Sequence, residues 1–71
     1  MLGNETNFKL SKREKELLVY ASNGFSIKQM AVLLKLSPYT IDSHNRNIIK
    51  KMEAKNMKEA IAKSIRNGII D

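Results

Sequence analysis

The stretch SIKQMAVLLKLSPYTIDSHNRNIIKKM, residues 26–52, contains two helix starts separated by a short joint. Ser26 is followed three residues later by Gln29, the pattern of a capping box, in which two side chains satisfy free backbone N–H groups. Ser37 precedes Pro38, and proline is favoured at the first helical position because its missing N–H is not needed there. About three residues join the two segments, so the sequence predicts two helices that cross steeply, as in a helix-turn-helix.

Apolar residues recur at three- and four-residue steps in the second of these segments, from Pro38 to Met52. Ile41, Ile48 and Met52, with either His44 or Asn45 between them, form one inward stripe. The joint itself places Lys35 where many such turns have glycine. We therefore expect Lys35 to adopt a left-handed backbone at a modest cost.

Two further helices flank this unit. The first begins at a capping box formed by Ser11 and Glu14 and ends at Asn23–Gly24. The last begins near Asn56, where Glu59 is expected to complete another box, and runs to Gly68.

No segment alternates apolar and polar residues as a strand does, so the predicted fold class is all-α. The architecture is a four-helix bundle containing a helix-turn-helix, similar to a winged helix without its wing. Residues 1–8 are expected to be a linker or a disordered N-terminus, with Phe8 a candidate for docking on the core. Residues 9–71 are expected to form the domain.

Composition favours a polyanionic partner. Thirteen Lys and Arg residues against seven Asp and Glu residues give a net charge of +6. The sequence pI of about 9.9 fits nucleic acid first and anionic lipid second. The longest apolar run, residues 30–34, is far shorter than the roughly 20 residues of a membrane span. Without an export signal at the N-terminus, a cytoplasmic location is expected.

The sequence offers little of what catalysis requires. It contains no cysteine, and it has no carboxylate pair, metal-ligand cluster or glycine-rich phosphate loop. Asp42, Ser43 and His44 are adjacent, but consecutive helical residues point about 100° apart and do not converge on one atom. We therefore expect no enzyme activity, no cofactor, no metal and no small molecule bound by this domain.

Polar side chains occupy the face of residues 38–52 that lies opposite the apolar stripe. Arg46 can donate two hydrogen bonds to guanine, Asn47 can pair with adenine, and Ser43 can contact several base edges. Asp42 shares this face and can accept a hydrogen bond from cytosine N4. We predict that these four residues read bases in the major groove of double-stranded DNA.

Anion-binding groups surround this face. Free N–H groups at helix starts attract phosphate, and lysines placed further along the helix meet the backbone where the helix leaves the groove. Tyr39 could stack on sugar-phosphate or cover Leu36. The predicted phosphate contacts are Ser26, Lys28, Tyr39, Thr40, Lys50 and Lys51.

A family pattern extends over Leu10 to Ile70. It comprises LSKREKELL at 10–18, Gly24, Ser26, Lys28, Ala31, Leu34, Ser37, Thr40, Ile41, His44, Asn47, Ile48, Lys51, Met52, Ala60 and the closing Gly68-Ile69-Ile70. With these residues the sequence resembles the C-terminal helix-turn-helix DNA-binding domain of LuxR/NarL-type (GerE-like) bacterial transcription regulators.

The resemblance implies several properties of this chain. They are a four-helix fold, sequence-specific DNA binding as the output domain of a regulator such as a response regulator, and a homodimer on inverted or direct half-sites. It also implies base-facing roles for Asp42, Ser43 and Arg46, with Lys28, Thr40 and Lys50 near the DNA backbone. Protomer contacts would run through the fourth helix, with candidates Met57, Ile61, Ser64 and Ile65.

A second function stays open on the sequence. The same helices could form a protein-interaction module that contacts RNA polymerase or another acidic partner. Asp42 favours this alternative, because a carboxylate on the reading face repels phosphate. Failure of the protein to retard random duplex at low salt would favour the interaction module over DNA binding.

Overall fold

A computed structural model describes residues 8–71, and in that range the secondary structure consists of four α-helices without a strand. We number them α1 (Lys12–Ser22), α2 (Ile27–Leu34), α3 (Pro38–Lys51) and α4 (Met57–Arg66). The all-α prediction with four helices is confirmed. Most of the predicted N-terminal linker, residues 1–7, lies outside the described residues. Phe8 packs against the core.

Side-chain caps fix where the first three helices begin. Ser11 Oγ accepts from the Glu14 N–H at 3.1 Å, and Glu14 Oε1 accepts from the Ser11 N–H at 2.8 Å. Ser26 and Gln29 make the same reciprocal pair at 3.1 and 2.8 Å. Ser37 Oγ accepts from the Thr40 N–H at 3.0 Å. Because each such cap contributes about 1 kcal/mol, these boundaries are set locally by sequence.

The start of α4 departs from the prediction. Asn56 Oδ1 accepts from the Glu59 N–H at 2.9 Å, but Glu59 Oε1 accepts from the Lys55 N–H rather than from Asn56. Asn56 is more extended than the serine caps, with φ −161° against −74° at Ser11. This conformation turns the N–H of Asn56 away from Glu59, so the predicted third capping box is wrong.

The joint between α2 and α3 is tight because one residue reverses the chain. Lys35 has φ 58° and ψ 43°, the left-handed conformation expected for it. The N–H of Leu36 then reaches back to the carbonyl of Ala31 at 2.9 Å and closes α2. Ala31 is buried at this joint, and its small side chain allows α2 and α3 to approach closely.

Helix α3 packs against each of the other three helices. Its inward stripe is Ile41, Asn45, Ile48 and Met52, so Asn45 and not His44 completes the predicted row. Around it lie the buried apolar residues Leu10, Leu17, Leu18, Met30, Ala31, Ala60 and Ile70. Full burial of one large apolar side chain contributes about 1.5–3 kcal/mol, so α3 is held firmly on one face and is free on the other.

The end of α3 is tied to α4 by a lysine. Lys63 Nζ donates to the carbonyl oxygens of Met52 at 2.9 Å and Glu53 at 3.0 Å. These carbonyls follow the last turn of α3, where the helix dipole is negative and a cation is favoured. The contact links the end of α3 to α4.

Candidate nucleic-acid interface

The free face of α3 presents a row of exposed polar side chains. Ser43, Arg46 and Asn47 are exposed, and Asp42 is half-buried at the edge of the row. The Arg46 side chain is 73% exposed, so its guanidinium stands clear of the core. Tyr39 and Lys50 lie exposed nearer the two ends of the helix. The helix therefore brings the four predicted base-reading residues onto one accessible side.

Asp42 and Arg46 form an ion pair along this face. Arg46 Nη2 and Nε donate to the same carboxylate oxygen, Oδ2, at 2.6 and 3.0 Å. The four-residue spacing of opposite charges on a helix favours this pair, which was not among the predictions from the sequence. Exposed pairs of this kind contribute about 0.3–0.5 kcal/mol, which is enough to bias the arginine rotamer but not to lock it.

The two helix starts differ in what they offer an anion. At α2 the Ser26 cap satisfies the N–H groups of Gln29 and Met30, while those of Ile27 and Lys28 have no protein partner among the described residues. At α3, Pro38 has no N–H, and the Thr40 N–H is held by Ser37. The start of α2 therefore exposes more of the positive end of its dipole than the start of α3 does.

The Thr40 hydroxyl is already engaged. It lies 2.9 Å from the Ser37 hydroxyl, with either group able to donate. A phosphate contact by Thr40 therefore shares its oxygen with the helix cap. Ser26 and Lys28 are exposed beside the open start of α2.

Lys51, one of the predicted phosphate contacts, has its ammonium engaged within the fold. Its Nζ donates to Glu14 Oε1 at 2.9 Å and to the carbonyl of Lys9 at 3.3 Å. Glu14 is buried, and burial alone would raise the pKa of its carboxyl. The hydrogen bonds from Lys51 and Ser11 outweigh burial and lower the pKa of Glu14 below its ordinary value. The charge of Lys51 therefore serves the junction of α1 with α3.

The α4 residues predicted for a dimer interface divide into two groups. Ile65 is exposed, and Met57 and Ile61 are partly buried against the core. Ser64 is fully buried, and its hydroxyl donates to the carbonyl of Ile61 at 2.7 Å. The inclusion of Ser64 was wrong, because a side chain enclosed within its own fold has no surface to offer a partner.

Two negative findings concern the part of the chain that the structure describes. Across residues 8–71, no group of three or more His, Cys, Asp or Glu side chains comes together as a metal site would require. In the same range, every helix is too short or too polar to cross a lipid bilayer.

Residues 9–64 match the model of a known family, described as bacterial regulatory proteins, luxR family. This chain belongs to that family. Membership confirms the resemblance drawn from the sequence, because the family is one of bacterial regulatory proteins.

Characterised members of the luxR family are similar over most of this chain. The transcriptional activator protein LuxR of Aliivibrio fischeri is 37% identical over 68 residues, 96% of this chain and 27% of that protein. The HTH-type quorum-sensing regulator RhlR of Pseudomonas aeruginosa is 38% identical over 61 residues, 86% of this chain and 25% of that protein. The crystal structure of Escherichia coli SdiA matches with a TM-score of 0.85 and 31% identity, covering 90% of this chain and 27% of that one. The chain thus spans about a quarter of the length of these relatives.

Proposed function

We propose that this luxR-family unit binds double-stranded DNA at specific sequences by placing α3 in the major groove. The observation that carries the proposal is the arrangement of α3 itself. Its apolar stripe is packed against three helices, while Arg46 and its polar neighbours stand exposed on the opposite side. An α-helix with one rigidly packed face and one free polar face fits the width of the major groove.

The base-reading roles follow from the chemistry of this exposed row. Arg46 pairs with guanine, Asn47 with adenine, and Ser43 contacts an adjacent base edge. Asp42 can act in either of two ways, by accepting from cytosine N4 or by holding the Arg46 guanidinium in place through their ion pair.

Phosphate binding is proposed for the groups that surround this row. Ser26, Lys28 and the two free N–H groups at the start of α2 bind one strand. Tyr39, Thr40 and Lys50 approach the backbone from α3. Lys51 is omitted from the set because its ammonium is held by Glu14.

Two alanine variants separate the reading of bases from the general affinity for duplex DNA. Arg46→Ala should remove the preference among duplexes selected from a random pool while much non-specific binding remains. Lys50→Ala should weaken binding to all duplexes alike and flatten the salt dependence, because each phosphate contact adds to the slope of log affinity against log salt. Arg13→Ala on α1 removes the same charge as Arg46→Ala and should leave the preference intact. Unchanged selectivity in Arg46→Ala refutes the reading role.

An Asp42→Ala variant distinguishes the two roles of that carboxylate. If Asp42 reads cytosine, the selected duplexes lose their preference at one base pair and keep the guanine contacted by Arg46. If Asp42 positions Arg46, the preference at that guanine itself falls. Selection from the same random pool reports both outcomes, and a site unchanged at every base pair would exclude both roles.

We further propose that two copies bind DNA together through α4, with Met57, Ile61 and Ile65 at the contact. The support is the partly exposed apolar row on α4. A regulator acting on the bacterial chromosome works in the cytoplasm, which is the location we propose.

A further inference from the structure

Helix α2 is apolar on two opposite sides. Its inner side chains, Met30 and Ala31, are buried in the core. On its outer side Val32 is 81% exposed and Leu33 is 49% exposed, and Phe25, just before the helix, is 37% exposed. The inner row explains how α2 folds onto the domain. Val32 contributes little to folding, because its side chain remains largely in water.

These outer residues line one shallow hollow. It has a volume of about 340 Å³ and is bounded by Phe25, Lys28, Gln29, Val32 and Leu33, which we call the α2 outer surface. Scattered exposed apolar residues are ordinary, but neighbouring ones around a hollow mark an interaction site. Gln29, Val32 and Leu33 lie on one side of α2, and Phe25 adjoins them from just before the helix.

One wall of the hollow is held rigid by the fold. The ring of Phe25 packs on that of Tyr20 with centroids 5.3 Å apart, and the Phe25 N–H bonds to the Tyr20 carbonyl at 3.1 Å. A fixed aromatic wall lowers the entropy lost when a partner binds. The α2 outer surface is therefore shaped before any partner arrives.

The charge around the hollow indicates the chemistry of the partner. From residue 17 to residue 41 the sequence contains no Asp or Glu, while it contains Lys28 and Lys35. A second copy of the same surface would bring lysine against lysine. DNA offers phosphate to Lys28 but nothing apolar of matching size for Val32 and Leu33. An acidic protein segment with its own apolar side chains satisfies both features.

We propose that the α2 outer surface binds an acidic amphipathic helix of a partner protein. Apolar side chains of that helix enter the hollow between Phe25 and Leu33, and its carboxylates pair with Lys28. The inference does not depend on which bases α3 reads, but its surface shares Lys28 with the proposed phosphate contacts, so the partner and DNA compete for that ammonium. It assigns the domain a second, protein-binding surface on the outer side of the first helix of the helix-turn-helix.

The test begins with an unbiased selection. A display library of random peptides about 16 residues long, enough for roughly four helical turns, is selected against the intact 71-residue chain. The enriched peptides are expected to carry net negative charge and apolar residues at three- and four-residue spacing. Absence of any enriched peptide, or enrichment without an excess of acidic residues, overturns the proposal.

Variants then locate the binding of the enriched peptides by fluorescence anisotropy. The double variant Val32→Ser/Leu33→Ser should weaken peptide binding by about tenfold or more, as expected for apolar anchors at the centre of an interface. Lys28→Gln should weaken it severalfold and flatten its salt dependence. The matched control Val19→Ser, which removes an exposed valine from α1, should change it less than twofold. An equal loss in Val19→Ser contradicts the assigned location.

Four further measurements test folding and competing occupants. The double variant should keep its helical circular dichroism and bind random duplex within twofold of wild type, so its loss of peptide binding is not unfolding. Sedimentation in which only the wild type self-associates would replace the partner with a second copy. Binding to vesicles of anionic lipid that the double variant lacks would replace it with a membrane surface. Either of these last two results overturns the proposal.

Discussion

Replacing Asn45 with leucine should stabilise the domain, because Asn45 puts a polar group into the core without a matching partner. The residue is 7% exposed, and its Oδ1 is buried with no hydrogen-bond partner among the described residues. A buried acceptor left unsatisfied costs about 1–3 kcal/mol. Asn45 also borders a hollow lined by Ile27, Met30 and Ile61, which leaves room for the two bulkier methyl groups of leucine.

The expected change in the free energy of unfolding has two contributions, from the unsatisfied oxygen and from the added apolar burial. Removing the unsatisfied oxygen recovers about 1–3 kcal/mol, and the added methyl groups gain apolar burial of about 0.8 kcal/mol each, less any strain of repacking. We expect a net increase of about 1–2 kcal/mol in the free energy of unfolding. For a domain of this size that raises the melting temperature by about 4–8 °C per kcal/mol.

The assay is thermal and urea unfolding followed by circular dichroism. Asn45→Ala serves as the control, because it removes the same oxygen but leaves a cavity, so its stability should stay close to that of the wild type. DNA affinity of the leucine variant should be unchanged, since Asn45 faces away from the polar row of α3. A leucine variant that is less stable than the wild type would show that Asn45 is satisfied in solution and refute the reasoning.

Three further predictions concern other parts of the domain. Lys35→Gly should raise the free energy of unfolding by about 1 kcal/mol, because glycine adopts the left-handed conformation without the Cβ penalty, whereas Lys35→Ala should not. The lowered pKa of Glu14 means that its charged form stabilises the fold at pH values above the ordinary value of 4.5, and this stabilisation should be lost as the pH falls through the lowered pKa. Thermal melts between pH 7 and pH 3 should therefore show a smaller acid-induced loss for Glu14→Gln than for the wild type, with the exposed Glu16→Gln matching the wild type. Ile65→Glu should reduce pairing of two copies on DNA, measured by sedimentation with a duplex carrying two half-sites, while Val19→Glu at a similarly exposed position on α1 should not.

Local patterns made the helices and the joint predictable. The serine caps at Ser11 and Ser26 act on backbone groups only three residues away, so the sequence contains both partners of each contact. The left-handed Lys35 was predictable for a similar reason, since a joint of about three residues leaves the chain few conformations. The ion pair of Asp42 with Arg46 is equally local and could have been predicted from its spacing.

Contacts between distant residues could not be predicted in the same way. Lys51 and Glu14 are 37 positions apart, and only the packing of α1 on α3 brings them together. Ser64 resembles a surface residue in the sequence, yet its hydroxyl bonds to the carbonyl of its own helix and can therefore be buried. The sequence left open whether His44 or Asn45 belongs to the inward stripe of α3, because both side chains are polar. The rotation of α3 against the other three helices buries Asn45.

The two hydrogen bonds from Lys63 have a consequence for the spacing between the DNA half-sites that a pair of copies can bind. They tie the carbonyls at the end of α3 to α4, so a change in the tilt of α4 is transmitted to α3 rather than absorbed by the loop between them. In a pair of copies joined through α4, the distance between the two groove-reading helices would then be set inside each protomer. Lys63 would then restrict the permitted gap between half-sites. Its loss would make that gap more variable without altering the bases read in either half-site.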